Sequence, residues 1–205
     1  MTLYDVTMPI RVGMAAYKNK QEHQPHIEKV RTIEQGSNET RVSVYSHSGT
    51  HIDAPYHILS EGYTLENIPL SQMYGKCKVL DLTDIDSCIE LKHIEKYVVS
   101  RGDFIFFKTT NSLEDSFNPE FVYLSAEAAE YLVSCGVEVV GIDGLSVERN
   151  SPDHITHHTL LENNILIVEG LRLKDIPEGE YTSVIAPLLI VGGDGSPARV
   201  LLIKE

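Results

Sequence analysis

Apolar and polar positions alternate over short stretches along most of this chain, a pattern that predicts many strands and few helices. Arg41-Val-Ser-Val-Tyr-Ser46 sets Val42 and Val44 between polar neighbours, as a half-buried strand does. Ile27 to Ile33 alternates more weakly and reads as its hairpin partner across the turn Gly36-Ser37-Asn38. Leu3 to Thr7 is a short strand ended by Met8-Pro9 and Gly13. The run Asp103-Phe-Ile-Phe-Phe-Lys-Thr109 is the clearest core strand, and Lys78–Leu82, Val137–Asp143, Ile165–Glu169 and Val200–Ile203 follow the same logic. Val184 to Val191 is apolar but contains Pro187, which cannot donate to a ladder and so belongs at an edge or bulge.

Three stretches carry helical spacing. Cys88 to Val99 has Ile89, Leu91, Ile94, Val98 and Val99 on an amphipathic period. Ala126 to Ser134 is preceded by Ser125 as N-cap and stopped by Gly136, with Glu127 near its positive end. A third helix begins near Pro152, capped by Ser151 or Asp153, and ends at Asn163-Asn164. It is predicted to put His154, His157 and His158 on one face while Leu160 and Leu161 point to a core.

Length and charge narrow the function. The 205 residues suffice for one domain with a proper core, and no Pro/Gly/Ser-rich or charged tract divides residues 1–205. Thirty acidic against seventeen basic residues give a net charge of −13, with no basic face, so nucleic acid and anionic membranes are excluded as partners. No run approaches the roughly twenty apolar residues of a membrane span, and the N-terminus has no leader pattern, so a cytoplasmic protein is expected. Cys77, Cys88 and Cys135 are odd in number and widely spaced, as reduced thiols are.

The chemistry concentrates in His47-Ser-Gly-Thr-His51-Ile-Asp53-Ala-Pro-Tyr-His57. Gly49, the β-branched Thr50 and Ile52, and Pro55 oppose a helix, so a strand running into a bend is expected. Four extended residues span about 13 Å, and a bend at Gly49 shortens the gap between His47 and His51. His51, Asp53 and His57 share parity, so their side chains can converge. Imidazole with carboxylate suits Zn, Mn or Fe. Beyond the third helix, Glu169 places a carboxylate at the end of an apolar strand, where it is costly unless paired or liganded.

This eleven-residue run resembles the HxGTHxDxPxH signature of the metal-dependent cyclase family, which includes bacterial kynurenine formamidases (arylformamidases) and isatin hydrolases. The strand-plus-proline opening, Gly141-Ile-Asp143-Gly-Leu-Ser146 and the close Asp194-Gly-Ser-Pro-Ala-Arg199 also resemble that family. The resemblance implies an α/β fold, a single β-rich domain of the swivelling β/β/α type. It further implies His47, His51, Asp53, His157 and Glu169 as ligands of two divalent ions per subunit, zinc with manganese as the alternative, Asp53 bridging. His57 is implied as the catalytic proton carrier, and homodimers or homotetramers as the assembly. The implied reaction is hydrolysis of a small-molecule amide C–N bond, in an aryl formamide such as N-formylkynurenine or a cyclic amide such as isatin. One departure is plain: relatives carry a Trp-Pro-Gly-Asp-like segment near the pocket, whereas this chain has Tyr17-Lys-Asn-Lys and no tryptophan.

Two other readings fit part of the pattern. His51, Asp53 and His157 match the two-His-one-carboxylate triad of non-haem Fe(II) oxygenases, which leaves His47, His57 and Glu169 without roles. A metal-stabilised binding protein without turnover is the other.

Overall fold

Phe104-Ile-Phe-Phe-Lys108 is buried on both faces because it runs through the middle of a sheet with a core on either side. Phe104 and Phe106 enter one apolar cluster, and Ile105 and Phe107 the other. The computed structural model describes residues 1–205. In chain order the elements are β1 (Thr2–Asp5), β2 (His26–Arg31), β3 (Glu39–Ser43), β4 (His51–Asp53), β5 (Tyr74–Asp81), β6 (Cys88–Ile89), α1 (Leu91–Ile94), β7 (Phe104–Lys108), β8 (Tyr123–Leu124), α2 (Ala126–Cys135), β9 (Val139–Ile142), α3 (Ile155–Glu162), β10 (Leu166–Glu169), β11 (Gly179–Pro187) and β12 (Gly195–Lys204).

Eight strands form the main sheet in the order β1-β12-β11-β5-β7-β9-β10-β4, and β4 returns to pair with β12. Seven strands therefore close on themselves, with β1 appended. β12 makes this possible by length: Gly195 to Pro197 pair with β4, while Leu201 to Lys204 pair with β1. β5, β7, β9 and β10 run parallel, and β4, β11, β12 and β1 join antiparallel. The fold is thus a β-rich α/β closed sheet whose interior holds Ile52, Phe104, Phe106 and Val168, with α2 and α3 packed outside over Leu132, Leu160, Leu161 and Ile167.

Three expectations from the sequence need correcting. The stretch 88–99 is not one helix: Cys88 and Ile89 pair with Tyr123 and Leu124 as a small parallel ribbon, and only Leu91–Ile94 is helical. Val98 is 80% exposed, so the apolar period there does not mark a buried face. The apolar stretch 184–191 leaves the sheet at Pro187, and Leu188 to Val191 form an exposed loop. The hairpin β2–β3 pairs as expected, Ile27 opposite Val42, but its strands end at Ser43 and every residue in them is exposed.

The backbones leading into β4 and out of β10 touch. Gly170 has φ +68°, and a Cβ there would stand 2.3 Å from the carbonyl oxygen of Gly49. Left-handed backbone and a backbone clash both oppose any side chain, each at a cost of about 1–3 kcal/mol. Gly170→Ala is expected to lower stability in chemical denaturation by about 3 kcal/mol or more; an unchanged unfolding midpoint would show that this approach is not needed.

Candidate metal centre

Ile52 is the pivot of the site. Its side chain points into the closed sheet, so His51 and Asp53 on either side of it must point outward, towards α3. β10 repeats the arrangement with Val168 inward and Glu169 outward, and register sets Glu169 directly across from His51. His157 arrives from α3, buried to 4% exposure beside Asp53 and Glu169. His47 comes from the turn before β4 and His57 from the short helical turn Pro55–His57 that follows it. The positive φ of Gly49, +66°, makes the bend, as its place in the motif leads one to expect.

The structure brings all six predicted residues together. His51 Nε2 lies 3.5 Å from Asp53 Oδ1 and 3.3 Å from Glu169 Oε2. His157 Nε2 lies 3.6 Å from Asp53 Oδ2 and 3.4 Å from Glu169 Oε1. These four separations are too long for hydrogen bonds, whose N···O distances centre on about 2.9 Å. Donors about 2.1 Å from a tetrahedral ion stand about 3.4 Å apart, so the spacing fits a cation between each imidazole and the two carboxylates. Asp53 Oδ2 is also buried with no hydrogen-bond partner, and Asp53 and Glu169 have only imidazoles as cationic neighbours. His51 Nδ1 donates to the Gly49 carbonyl at 2.9 Å, which leaves Nε2 as the free acceptor towards the cluster. The donor set, nitrogen and carboxylate oxygen in two facing groups, fits divalent ions.

His47 is engaged at both nitrogens: Nδ1 is 2.8 Å from Asp53 Oδ1 and Nε2 is 2.9 Å from Asp194 Oδ2. Burial alone lowers its pKa, but the hydrogen bond and charge of Asp53, then those of Asp194, raise it to about 9. Burial pushes Asp53 up, yet the surrounding imidazoles of His157, His47 and His51 hold it well below the usual carboxylate range. His157 is likewise held well above its ordinary value by Asp53, Glu148 and Glu169 against the effect of burial. His57 behaves oppositely: burial lowers its pKa, so it is neutral at pH 7 and can accept a proton. Its ring lies 3.9 Å from that of His47, and its Nδ1 is 3.7 Å from Asp194 Oδ2.

The third helix needs correcting. His154 is its N-cap, in left-handed backbone with φ +49°, and His158 is half-buried and paired with Glu162, so His157 is the histidine of this helix that reaches the cluster. His23 stacks on Tyr45 with ring centroids 4.7 Å apart and lines a small cavity with Tyr17 and His47. The close Gly192-Gly-Asp-Gly acts as a structural turn, its Gly193 and Asp194 carbonyls accepting from Leu65 and Ala54. Sequence reasoning missed that this turn delivers the Asp194 carboxylate to His47 and His57. It missed Glu148 too, a buried carboxylate 2.8 Å from His157 Nδ1. The segment 14–26, whose role the sequence left open, brings Tyr17 edge-on to Phe117 and Phe121, 5.3 Å and 6.4 Å between centroids. Tyr17 lines a small cavity together with His47, and burial and then the charge of Glu169 raise its pKa.

The Cyclase family model matches residues 4–149, which include the whole run from His47 to His57. The chain belongs to that family. The likeness extends past the matched region: the kynurenine formamidase of Salinibacter ruber is 30% identical over 98% of this chain and 97% of its own length. A solved chain described as a potential metal-dependent hydrolase with cyclase activity is 47% identical, covers 100% of this chain with 98% of its own, and superposes with a TM-score of 0.92. Isatin hydrolase A from Ralstonia solanacearum shares the cyclase-family fold, with a TM-score of 0.87 at 20% identity over 99% of this chain and 92% of its own. Together with the ligand geometry, this membership makes the chain an enzyme of the metal-dependent hydrolase class.

Proposed function

We propose that this enzyme hydrolyses the amide C–N bond of a small organic molecule, an aryl formamide of the N-formylkynurenine kind or a cyclic amide of the isatin kind. The observation that carries the reading is the pair of facing donor groups: His51, Asp53 Oδ1 and Glu169 Oε2 on one side, His157, Asp53 Oδ2 and Glu169 Oε1 on the other. Both carboxylates belong to both groups, so His51, His157, Asp53 and Glu169 would hold two divalent ions per subunit, zinc or manganese. His47 would be the remaining ligand of the reading; its two nitrogens face Asp53 and Asp194. The oxygenase triad of His51, Asp53 and His157 leaves Glu169 without a role between two imidazoles.

When bound, such ions supply Lewis acidity, polarising a carbonyl and bringing the pKa of water down to about 7. The protein's own residues do the rest. His57, neutral and partly exposed at the rim, takes a proton from the attacking water and returns it to the leaving nitrogen. The Asp194 carboxylate, 3.7 Å from Nδ1, adds a negative charge beside that imidazole. Tyr17, Phe117 and Phe121 offer aromatic edges to an aryl or bicyclic substrate, and a cavity lined by Met8, Phe117, Phe121, Leu145 and Arg172 adjoins them. A cytoplasmic catalytic unit spanning residues 1–205 is part of the same reading. So is assembly into homodimers or homotetramers, supported by the fully exposed β2–β3 hairpin, since an isolated two-stranded ribbon is marginal in water.

Protein purified without chelator is expected to carry about two equivalents of divalent metal per chain by plasma mass spectrometry, and to hydrolyse formylated aryl amines or isatin. Chelation is expected to abolish turnover and to lower the melting temperature, the loss amounting to about 2.7 kcal/mol where free metal stood at a hundred times its dissociation constant. Metal-free protein with unchanged stability, or metal-loaded protein inert on both amide classes, would overturn the reading.

A further inference from the structure

Glu148 is 5% exposed, lies outside the two donor groups, and has no part in the reaction as derived above. Nevertheless its carboxylate is fully used. Oε2 accepts the backbone N–H of Thr156 at 2.9 Å, in the first turn of α3, and Oε1 accepts from His154 Nδ1 at 2.7 Å. The same Oε1 is 2.8 Å from Nδ1 of His157, though off the line of its N–H. Its neighbour Val147, fully buried, donates its backbone N–H to Glu169 Oε1 at 2.6 Å. Two consecutive residues of one loop thus contact both His157 and Glu169.

We propose that Glu148 is the positioning residue for the His157 half of the centre. This rests on His157 being a metal ligand. An imidazole binds a cation through a nitrogen lone pair, so Nε2 must be bare and Nδ1 must hold the proton. A carboxylate beside Nδ1 has no proton to offer and accepts only, so it selects that tautomer; a small ring rotation lines up the N–H. It also makes Nε2 more electron-rich, and partners of this kind are worth about 10–100-fold in metal affinity. His51 has the equivalent support from the Gly49 carbonyl, so both halves have an acceptor behind the ligand nitrogen. The bond to Thr156 fixes where Glu148 sits relative to α3, which carries His157. A cap alone would not need the second oxygen within 2.8 Å of that ring.

The substitution Glu148→Gln separates these roles. The amide oxygen can still serve Thr156, but the NH2 presented to Nδ1 favours the tautomer with its proton on Nε2, which cannot ligate. Zn2+ is titrated calorimetrically into chelator-treated full-length protein, with Co2+ absorption as an independent reading of the ligand field. In Glu148→Gln, one of the two binding steps is expected to weaken about 10–100-fold with an altered Co2+ spectrum, while circular dichroism of the metal-free protein is unchanged. His154→Ala, which removes only the half-exposed competitor for Oε1, is expected to bind as the parent does. Glu148→Asp serves where Gln does not fold, and its retracted carboxylate is expected to weaken the same step. Parent-like metal binding in the folded Gln or Asp variant would overturn the inference. If the parent itself takes up no Zn2+, or His157→Ala binds as tightly as the parent, the metal-ligand reading of His157 fails instead.

Discussion

Asp53→Asn is expected to leave a folded protein that neither retains metal nor turns over amides. Asp53 is 1% exposed; Oδ1 faces His47 and His51, and Oδ2 faces His157 with no hydrogen-bond partner. Asparagine has the same shape, so the packing around Ile52 and Ala54 survives. It is uncharged, however, and its NH2 replaces one of the two oxygens, so one donor group loses a ligand and both lose a negative charge. Outer-partner changes alone cost about 10–100-fold in affinity, and a shared ligand should cost more. Metal analysis after gel filtration reads the loss directly, and circular dichroism checks the fold. Two equivalents of metal retained in this variant would remove the carboxylate from the centre altogether.

His57→Gln is expected to do the opposite: full metal content with kcat lowered by about 10²–10⁴, the usual worth of a positioned acid–base group. Its ring packs against His47 and stays partly exposed, so the substitution opens no core cavity. The KM should change much less than kcat, because the imidazole is needed for proton transfer more than for holding substrate. Metal lost together with activity would make His57 a ligand, an arrangement its closeness to His47 and Asp53 also permits, since ligand atoms of the three lie within 4.8 Å of one another.

The run 47–57 was readable because parity and a single glycine determine where its side chains go: Ile52 inward, His51 and Asp53 outward, the chain bent at Gly49. β7 was readable because a strand buried on both faces has no polar positions to hide it. The helix expected over 88–99 failed because Cys88 and Ile89 are claimed by β8, a partner 35 residues away whose pull no local period records. Leu188 to Val191 misled for a related reason, since apolar character alone does not say whether a strand continues once Pro187 has ended its pairing. Glu148 could not be singled out among the thirty acidic residues, because nothing local distinguishes a carboxylate folded inward from one in solvent, and Asp194 was noticed only as part of a turn. The long resemblance supplied His157 and Glu169, which spacing by itself left open.

β4 contributes only three residues, yet it closes the ring between β10 and β12. Two of those three carry donor atoms, so an ion seated there fastens the shortest seam of the sheet much as a buckle fastens a belt. Escape of the ion would then loosen the seam while the rest of the sheet stays folded. The exchange rate of the Ile52 amide should follow the metal's own off-rate, and the enzyme's shelf life should be set by how tightly it is buckled rather than by the size of its core.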